Sequence, residues 1–137
     1  MANNYAVTYT YDVANELTAA GGSRTESYGY DSGGNRNTTG YATTTGNEMT
    51  ASPGYTYTYD SEGNSTAQTD TMLGNVTTFS YDYRDRLTGA TEKHSGGSVI
   101  MQATYNYDSL NRRIGTDVDA DGAGPNAPVQ TWMVYDG

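Results

Sequence analysis

A Tyr-Asp pair recurs along this chain, at 11–12, 30–31, 59–60, 81–82, 107–108 and 135–136. The spacings from one tyrosine to the next are 19, 29, 22, 26 and 28 residues. A period of this order is the mark of a repeat architecture, in which one small structural unit is built over and over with loops of variable length. Upstream of the pairs the pattern has period two. Tyr5, Val7, Tyr9 and Tyr11 share one face, as do Tyr55, Tyr57 and Tyr59, Phe79 and Tyr81, and Tyr105 and Tyr107. Thr8, Thr10, Thr56, Thr58 and Ser80 fall on the opposite face. Strict alternation of this kind predicts strands with one wetter side. Three residues after each aspartate stands Asn15, Gly34, Gly63, Asp85 or Asn111. These residue types tolerate positive φ. Segments such as ELTAA (16–20), RLTGAT (86–91) and RIGTD (113–117) then read as returning strands.

Each unit is therefore expected to be a hairpin: strand, tight turn at the Tyr-Asp pair, strand. Further turns fall at GG (21–22), SPG (52–54), LGN (73–75), GG (96–97) and DGAGPNAP (121–128). The expected fold is all-β, an antiparallel meander of such hairpins forming a curved sheet strip, either a partial shell or a rolled sheet. No stretch sustains an apolar helical period.

The roles of the pair follow from its chemistry. An aspartate at the mouth of a turn accepts backbone N–H groups just downstream. The tyrosine beside it brings a flat apolar ring and a hydroxyl that reaches a polar rim. Tyr11, Asp12, Tyr30, Asp31, Tyr59, Asp60, Tyr81, Asp82, Tyr107, Asp108, Tyr135 and Asp136 are thus expected to be turn and packing elements, not catalysts. Such a division of labour is needed because Leu, Ile, Val and Phe make up only about a tenth of the chain, against 14 tyrosines. Aromatic pairs across strands substitute for an aliphatic interior.

With these residues in view, the chain resembles the YD repeats of bacterial Rhs proteins, which are related to the teneurins of animals. Those repeats run tyrosine-aspartate, two residues, glycine, arginine, leucine. YDYRDRLTGAT (81–91) has Arg86 and Leu87, with Asp85 at the glycine place. YDSLNRRIGT (107–116) keeps Arg112, with Arg113 at the leucine place and Ile114 beyond. YDSEGNST (59–66) and YDSGGNRN (30–37) keep the glycine and lose the arginine-leucine pair, Arg36 sitting one place late. YDVANELT (11–18) keeps Leu17. The resemblance spans the chain and implies a sheet that, in long members, spirals into a hollow shell around a C-terminal toxin or other cargo. It also implies a secreted or cell-surface bacterial protein whose export signal lies outside this chain. Residues 1–137 are then expected to be a single repeat domain from a much longer polypeptide. The family's autoproteolytic module, with its aspartate-proline motif, has no counterpart, since Pro53, Pro125 and Pro128 follow Ser, Gly and Ala.

A formal charge of −9 with seven scattered basic residues argues against nucleic acid. There is no cysteine, and His94 in EKHSGG is a lone histidine, so the usual nucleophile-base pairs are hard to assemble. No apolar run suits a membrane span. An enzyme is not expected. DVDADG (117–122) matches the opening of an EF-hand-type loop, so Asp117, Asp119 and Asp121 are candidate calcium ligands. Pro128 occupies the twelfth place, where a glutamate belongs, and a solvated acidic loop is the competing reading. No other cofactor is expected. Tyr55 and Tyr57 could instead stack on sugar rings, which makes a carbohydrate-binding or adhesive surface the alternative function; Trp132 reads equally as a surface or a core residue. The sequons at Asn37, Asn64 and Asn75 are expected to carry nothing. Open sheet edges and an aromatic face predict self-association, besides pairing with other repeats of the parent chain.

Overall fold

The computed structural model describes residues 6–135. It is all-β among those residues, and no helix is long and apolar enough to cross a membrane. Tyr5 and Asp136 lie outside the described residues. The chain divides into two compact units, one ending at Pro53 and one beginning at Gly54.

In the first unit, β1 (Thr8–Tyr11), β2 (Leu17–Gly21) and β3 (Glu26–Ser27) form a three-stranded antiparallel sheet in that order. After an irregular stretch, β4 (Ala42–Thr43) and β5 (Met49–Ser52) pair as a hairpin. The meander is therefore not continuous, contrary to the simplest expectation. From Tyr28 to Tyr41 the only strand-like link is an isolated bridge between Tyr30 and Arg36. The reason is local. DSGGNRNTTG (31–40) has no apolar alternation and carries Gly34 and Gly40 at φ of 79° and 92°. Glycine and asparagine weaken a strand.

The second unit is a seven-stranded antiparallel meander in chain order. Its strands are β6 (Tyr55–Tyr59), β7 (Ser65–Asp70), β8 (Val76–Tyr81), β9 (Leu87–Lys93), β10 (Val99–Tyr107), β11 (Arg113–Asp119) and β12 (Val129–Trp132). Among the described residues it does not close, since β12 pairs there with β11 alone. The registers run Phe79, Ala90, Ala103, Val118 and Val129 into one row across five strands. Period two puts that row on the same face as Tyr81, Tyr105 and Tyr107. Ala90 and Ala103, at 6% and 3% exposure, are the buried apolar residues among those described. The two sit side by side in the row, flanked by Phe79 and Val118. The other face carries threonine rows, such as Thr56 with Thr69 and Thr78 with Thr91. With so little enclosed interior, cohesion comes from cross-strand pairs, each contributing about 0.2–1 kcal/mol.

Candidate functional site

Five Tyr-Asp corners lie within the described residues, and they share one geometry. The aspartate Oδ1 accepts two backbone N–H groups, from the residues two and four places on. These are Ala14 and Glu16 for Asp12 (2.8 and 3.0 Å), Gly33 and Asn35 for Asp31 (2.8 and 2.9 Å), and Glu62 and Asn64 for Asp60 (3.1 and 2.8 Å). They are Arg84 and Arg86 for Asp82 (2.9 and 3.2 Å), and Leu110 and Arg112 for Asp108 (2.8 and 2.9 Å). Each aspartate N–H in turn donates to the carbonyl four residues on, at 2.9–3.0 Å. The residue three places on is left-handed in every case, with φ of 64° at Asn15, 79° at Gly34, 87° at Gly63, 56° at Asp85 and 65° at Asn111. The five positions expected to take positive φ all do so. In the corners flanked by strands, a register shift accompanies the tyrosine, as between Thr58 and Tyr59 or Ser80 and Tyr81. The turn thus feeds a β-bulge.

Donors aimed at a carboxylate favour its charged form. The N–H and side chain of Asn35 hold Asp31 below the ordinary aspartate range. The Arg86 side chain does the same for Asp82, and the Arg112 N–H for Asp108, each outweighing the desolvation that pushes upward. At Asp60 desolvation is the largest influence and pushes upward, yet the backbone and side-chain donors of Asn64, with the N–H groups of Glu62 and Gly63, carry the group below its usual value.

Two further corners were not legible as Tyr-Asp pairs. At Thr44 the hydroxyl replaces the carboxylate, accepting Gly46 N–H (3.1 Å) and Glu48 N–H (3.2 Å), and Asn47 takes φ of 63°. At His94 only the backbone part survives: His94 N–H donates to Ser98 C=O (2.9 Å), Gly97 N–H donates to His94 C=O (2.8 Å), and Gly97 has φ of 89°. The usable signal was a Gly or Asn three places after a residue that ends a strand.

The tyrosines do something the sequence did not disclose. Four of these hydroxyls donate to a backbone carbonyl of the preceding repeat, in each case the one five places after that repeat's aspartate. Tyr30 reaches Leu17 (3.1 Å), Tyr81 reaches Ser65 (3.0 Å), Tyr107 reaches Leu87 (2.9 Å) and Tyr135 reaches Arg113 (2.8 Å). Where the residue four places after the aspartate is arginine, its guanidinium covers the next tyrosine ring. Arg86 lies 4.8 Å from the Tyr107 centroid and Arg112 4.7 Å from that of Tyr135, each also paired with its own aspartate at 2.6 and 2.7 Å. The corners are also stitched side by side. Asn35 Nδ2 donates to Asn47 Oδ1 (2.9 Å), Asn64 Nδ2 to Asp85 Oδ1 (3.1 Å) and Arg86 Nη1 to Asn111 Oδ1 (3.1 Å). Of the remaining expected elements, Tyr11 is exposed at the end of β1, and Tyr59 is half-buried opposite Ser65.

The first corner departs from this scheme, because Glu16 stands where a later corner has arginine. Burial first, then the charge and hydrogen bond of Asp12, then the charge of Asp31, push the Glu16 carboxyl above its ordinary value. A group whose pKa rises on folding stabilises the fold below the ordinary carboxylate range, and that contribution is lost as pH rises through the raised value. Glu16→Arg is therefore expected to raise the thermal midpoint by about 2–4 °C at pH 7. Glu16→Gln should recover part of that gain, with less effect at pH 4. Melting curves of the three chains at both pH values check this, and a lower midpoint for the arginine variant at pH 7 would refute it.

The candidate metal ligands do not converge. Asp117 Oδ2 accepts Gln130 Nε2 (2.9 Å), Asp119 Oδ1 accepts the N–H groups of Asp121 (3.3 Å) and Gly122 (2.8 Å), and Asp121 Oδ2 accepts the N–H (3.1 Å) and Nδ2 (2.5 Å) of Asn126. Among the described residues no group of three or more His, Cys, Asp or Glu side chains is placed to hold a metal ion. The acidic run shapes the β11–β12 connection instead. Tyr55, at 39% exposure, stands opposite Asp70 and borders a shallow polar groove of about 190 Å³ with Gln68, Asn75, Thr77 and Glu92. Tyr57 is half-buried opposite Gln68.

Fold and corners together define a β-sheet repeat protein in which four tyrosine hydroxyls tie a repeat to the one before it. Residues 59–99 match the family RHS Repeat. No match is found among curated proteins. Among solved structures the chain is similar to the crystal structures of TcdB2-TccC3, TcdB2-TccC3-TEV and TcdB2-TccC3-Cdc42, each with a TM-score of 0.52 and 23% identity over 87% of this chain. It spans 6% of the chains it matches there. At that identity the likeness is one of fold.

Proposed function

We propose that this chain supplies a stretch of β-sheet wall to a much longer, exported Rhs-like bacterial polypeptide whose sheet encloses a toxin or other cargo. The observation that carries the reading is the tyrosine hydroxyl bond to the preceding repeat. A unit built this way is complete only beside its neighbour, as suits a long uninterrupted strip. The small share of the TcdB2-TccC3 chains that it spans supports the same view. The role is structural: five corner carboxylates are engaged by the N–H groups that close their own turns, which leaves them poorly placed as acids or bases. Partners are the adjoining repeats and the enclosed cargo, and the setting is outside the cell.

The test is limited proteolysis of the full polypeptide that carries this segment, with electron microscopy of the same sample. A hollow particle is expected, whose cargo resists protease at least tenfold longer than the cargo released by denaturation. Cargo digested at the same rate in both states would overturn the reading.

A further inference from the structure

An open cavity of about 400 Å³ lies between the corners at 60–64 and 82–86. Asp60, Glu62, Asn64, Tyr81, Asp82 and Asp85 are among its lining residues. The next two gaps along the sheet show what this place normally holds. In the first, the Arg86 guanidinium pairs with Asp82 (2.6 Å), lies over Tyr107 (4.8 Å) and donates to the Asp108 carbonyl (3.2 Å) and Asn111 Oδ1 (3.1 Å). In the second, Arg112 pairs with Asp108 (2.7 Å) and lies over Tyr135 (4.7 Å).

Asn64 occupies the arginine place in the 60–64 corner. Its Nδ2 makes the same two links, to its own aspartate (Asp60 Oδ2, 3.2 Å) and to the left-handed residue of the next corner (Asp85 Oδ1, 3.1 Å). It brings no charge, and its side chain is too short to spread over the Tyr81 ring. The ion pairs present are those of Arg86 with Asp82 and Arg112 with Asp108, so Asp60, Glu62 and Asp85 have no basic partner among the described residues. A tyrosine ring, three uncompensated carboxylates and room for a planar cation therefore meet at one point.

We propose that this cavity binds a guanidinium group on an alkyl arm, that is, an arginine side chain presented by another polypeptide segment. Arginine fits better than lysine because a planar guanidinium stacks on an aromatic face while its N–H fork engages carboxylates. The site is a repeat position left without its own cation, and the ligand restores the arrangement built into the next two gaps.

Titration of the isotope-labelled 137-residue chain with N-acetyl-arginine amide, followed by nuclear magnetic resonance, tests the proposal. Saturable shifts are expected at the Asn64 side-chain amide and the Tyr81 ring. The neutral isostere N-acetyl-citrulline amide should bind at least tenfold more weakly. Asn64→Arg should abolish the response by filling the cavity with its own guanidinium, and should raise the thermal midpoint. Should that variant fail to fold, Glu62→Gln with Asp85→Asn, which keeps a residue tolerant of positive φ at 85, should weaken binding at least threefold. Absence of saturable shifts at Asn64 and Tyr81, equal binding of the citrulline compound, or unchanged binding by either variant would overturn the proposal.

Discussion

Replacing Tyr107 by alanine is expected to destabilise the second unit by about 2–4 kcal/mol, somewhat below the loss of a fully buried aromatic residue because the ring is only half-buried. Three interactions leave together: the hydroxyl bond to the Leu87 carbonyl, the ring surface under Arg86, and the packing of the aromatic face. Tyr107→Phe separates them. It keeps the ring and removes only the hydroxyl, so it should cost about 1 kcal/mol, the net worth of one hydrogen bond whose acceptor is partly accessible to water. In a repeat sheet the damage should be local to the neighbours. Amide exchange is expected to quicken at 82–86 and 108–112 while the 12–16 corner keeps its wild-type rate. Denaturant midpoints and exchange rates of the two variants settle the matter. Equal stability for the alanine and phenylalanine variants would mean that the ring does not hold the repeats together.

Acid should unfold the chain over a window set by its corners. Asp31, Asp60, Asp82, Asp108 and Asp121 all sit below the ordinary aspartate range when folded. For such groups the unfolded chain binds more protons, so the stabilisation is fully present above the unfolded pKa of about 4 and disappears as pH falls through the lower folded values. Stability is expected to be flat from pH 7 to about 5, with the thermal midpoint then falling steadily towards pH 2. Glu16 works with the opposite sign and offsets a small part of the loss. Asp82→Asn keeps an acceptor for Arg84 and Arg86 but removes the charge. It should lower the midpoint at pH 7 and flatten the acid limb. A thermal midpoint unchanged between pH 7 and pH 2 would show that the corner carboxylates contribute nothing through their ionisation.

The corners and the linkage between them differ in how far they could be read in advance. Asn15, Gly34, Gly63, Asp85 and Asn111 were identifiable as left-handed positions because that conformation is restricted by the residue's own side chain. The tyrosine-threonine alternation was equally plain, since period two is a property of the extended chain itself. Thr44 escaped because threonine is common throughout this sequence and becomes a corner acceptor only when its hydroxyl meets Gly46 and Glu48. The alternating carboxylates of 117–121 looked like a metal loop because spacing says nothing about direction. Gln130, Asn126 and the local backbone supply their donors instead.

The amino-acid order alone determined an all-β chain with an aspartate-closed turn at the first five Tyr-Asp pairs, because a side chain accepting N–H groups two and four residues on is a matter of a handful of adjacent bonds. Only the tertiary structure decided where the meander breaks, which carbonyl each tyrosine hydroxyl finds, and which ring lies under a guanidinium. Those partners stand 13 to 22 residues apart for the hydroxyl bonds, across connections of unequal length. Strand register brings them together, and register is a property of the assembled sheet.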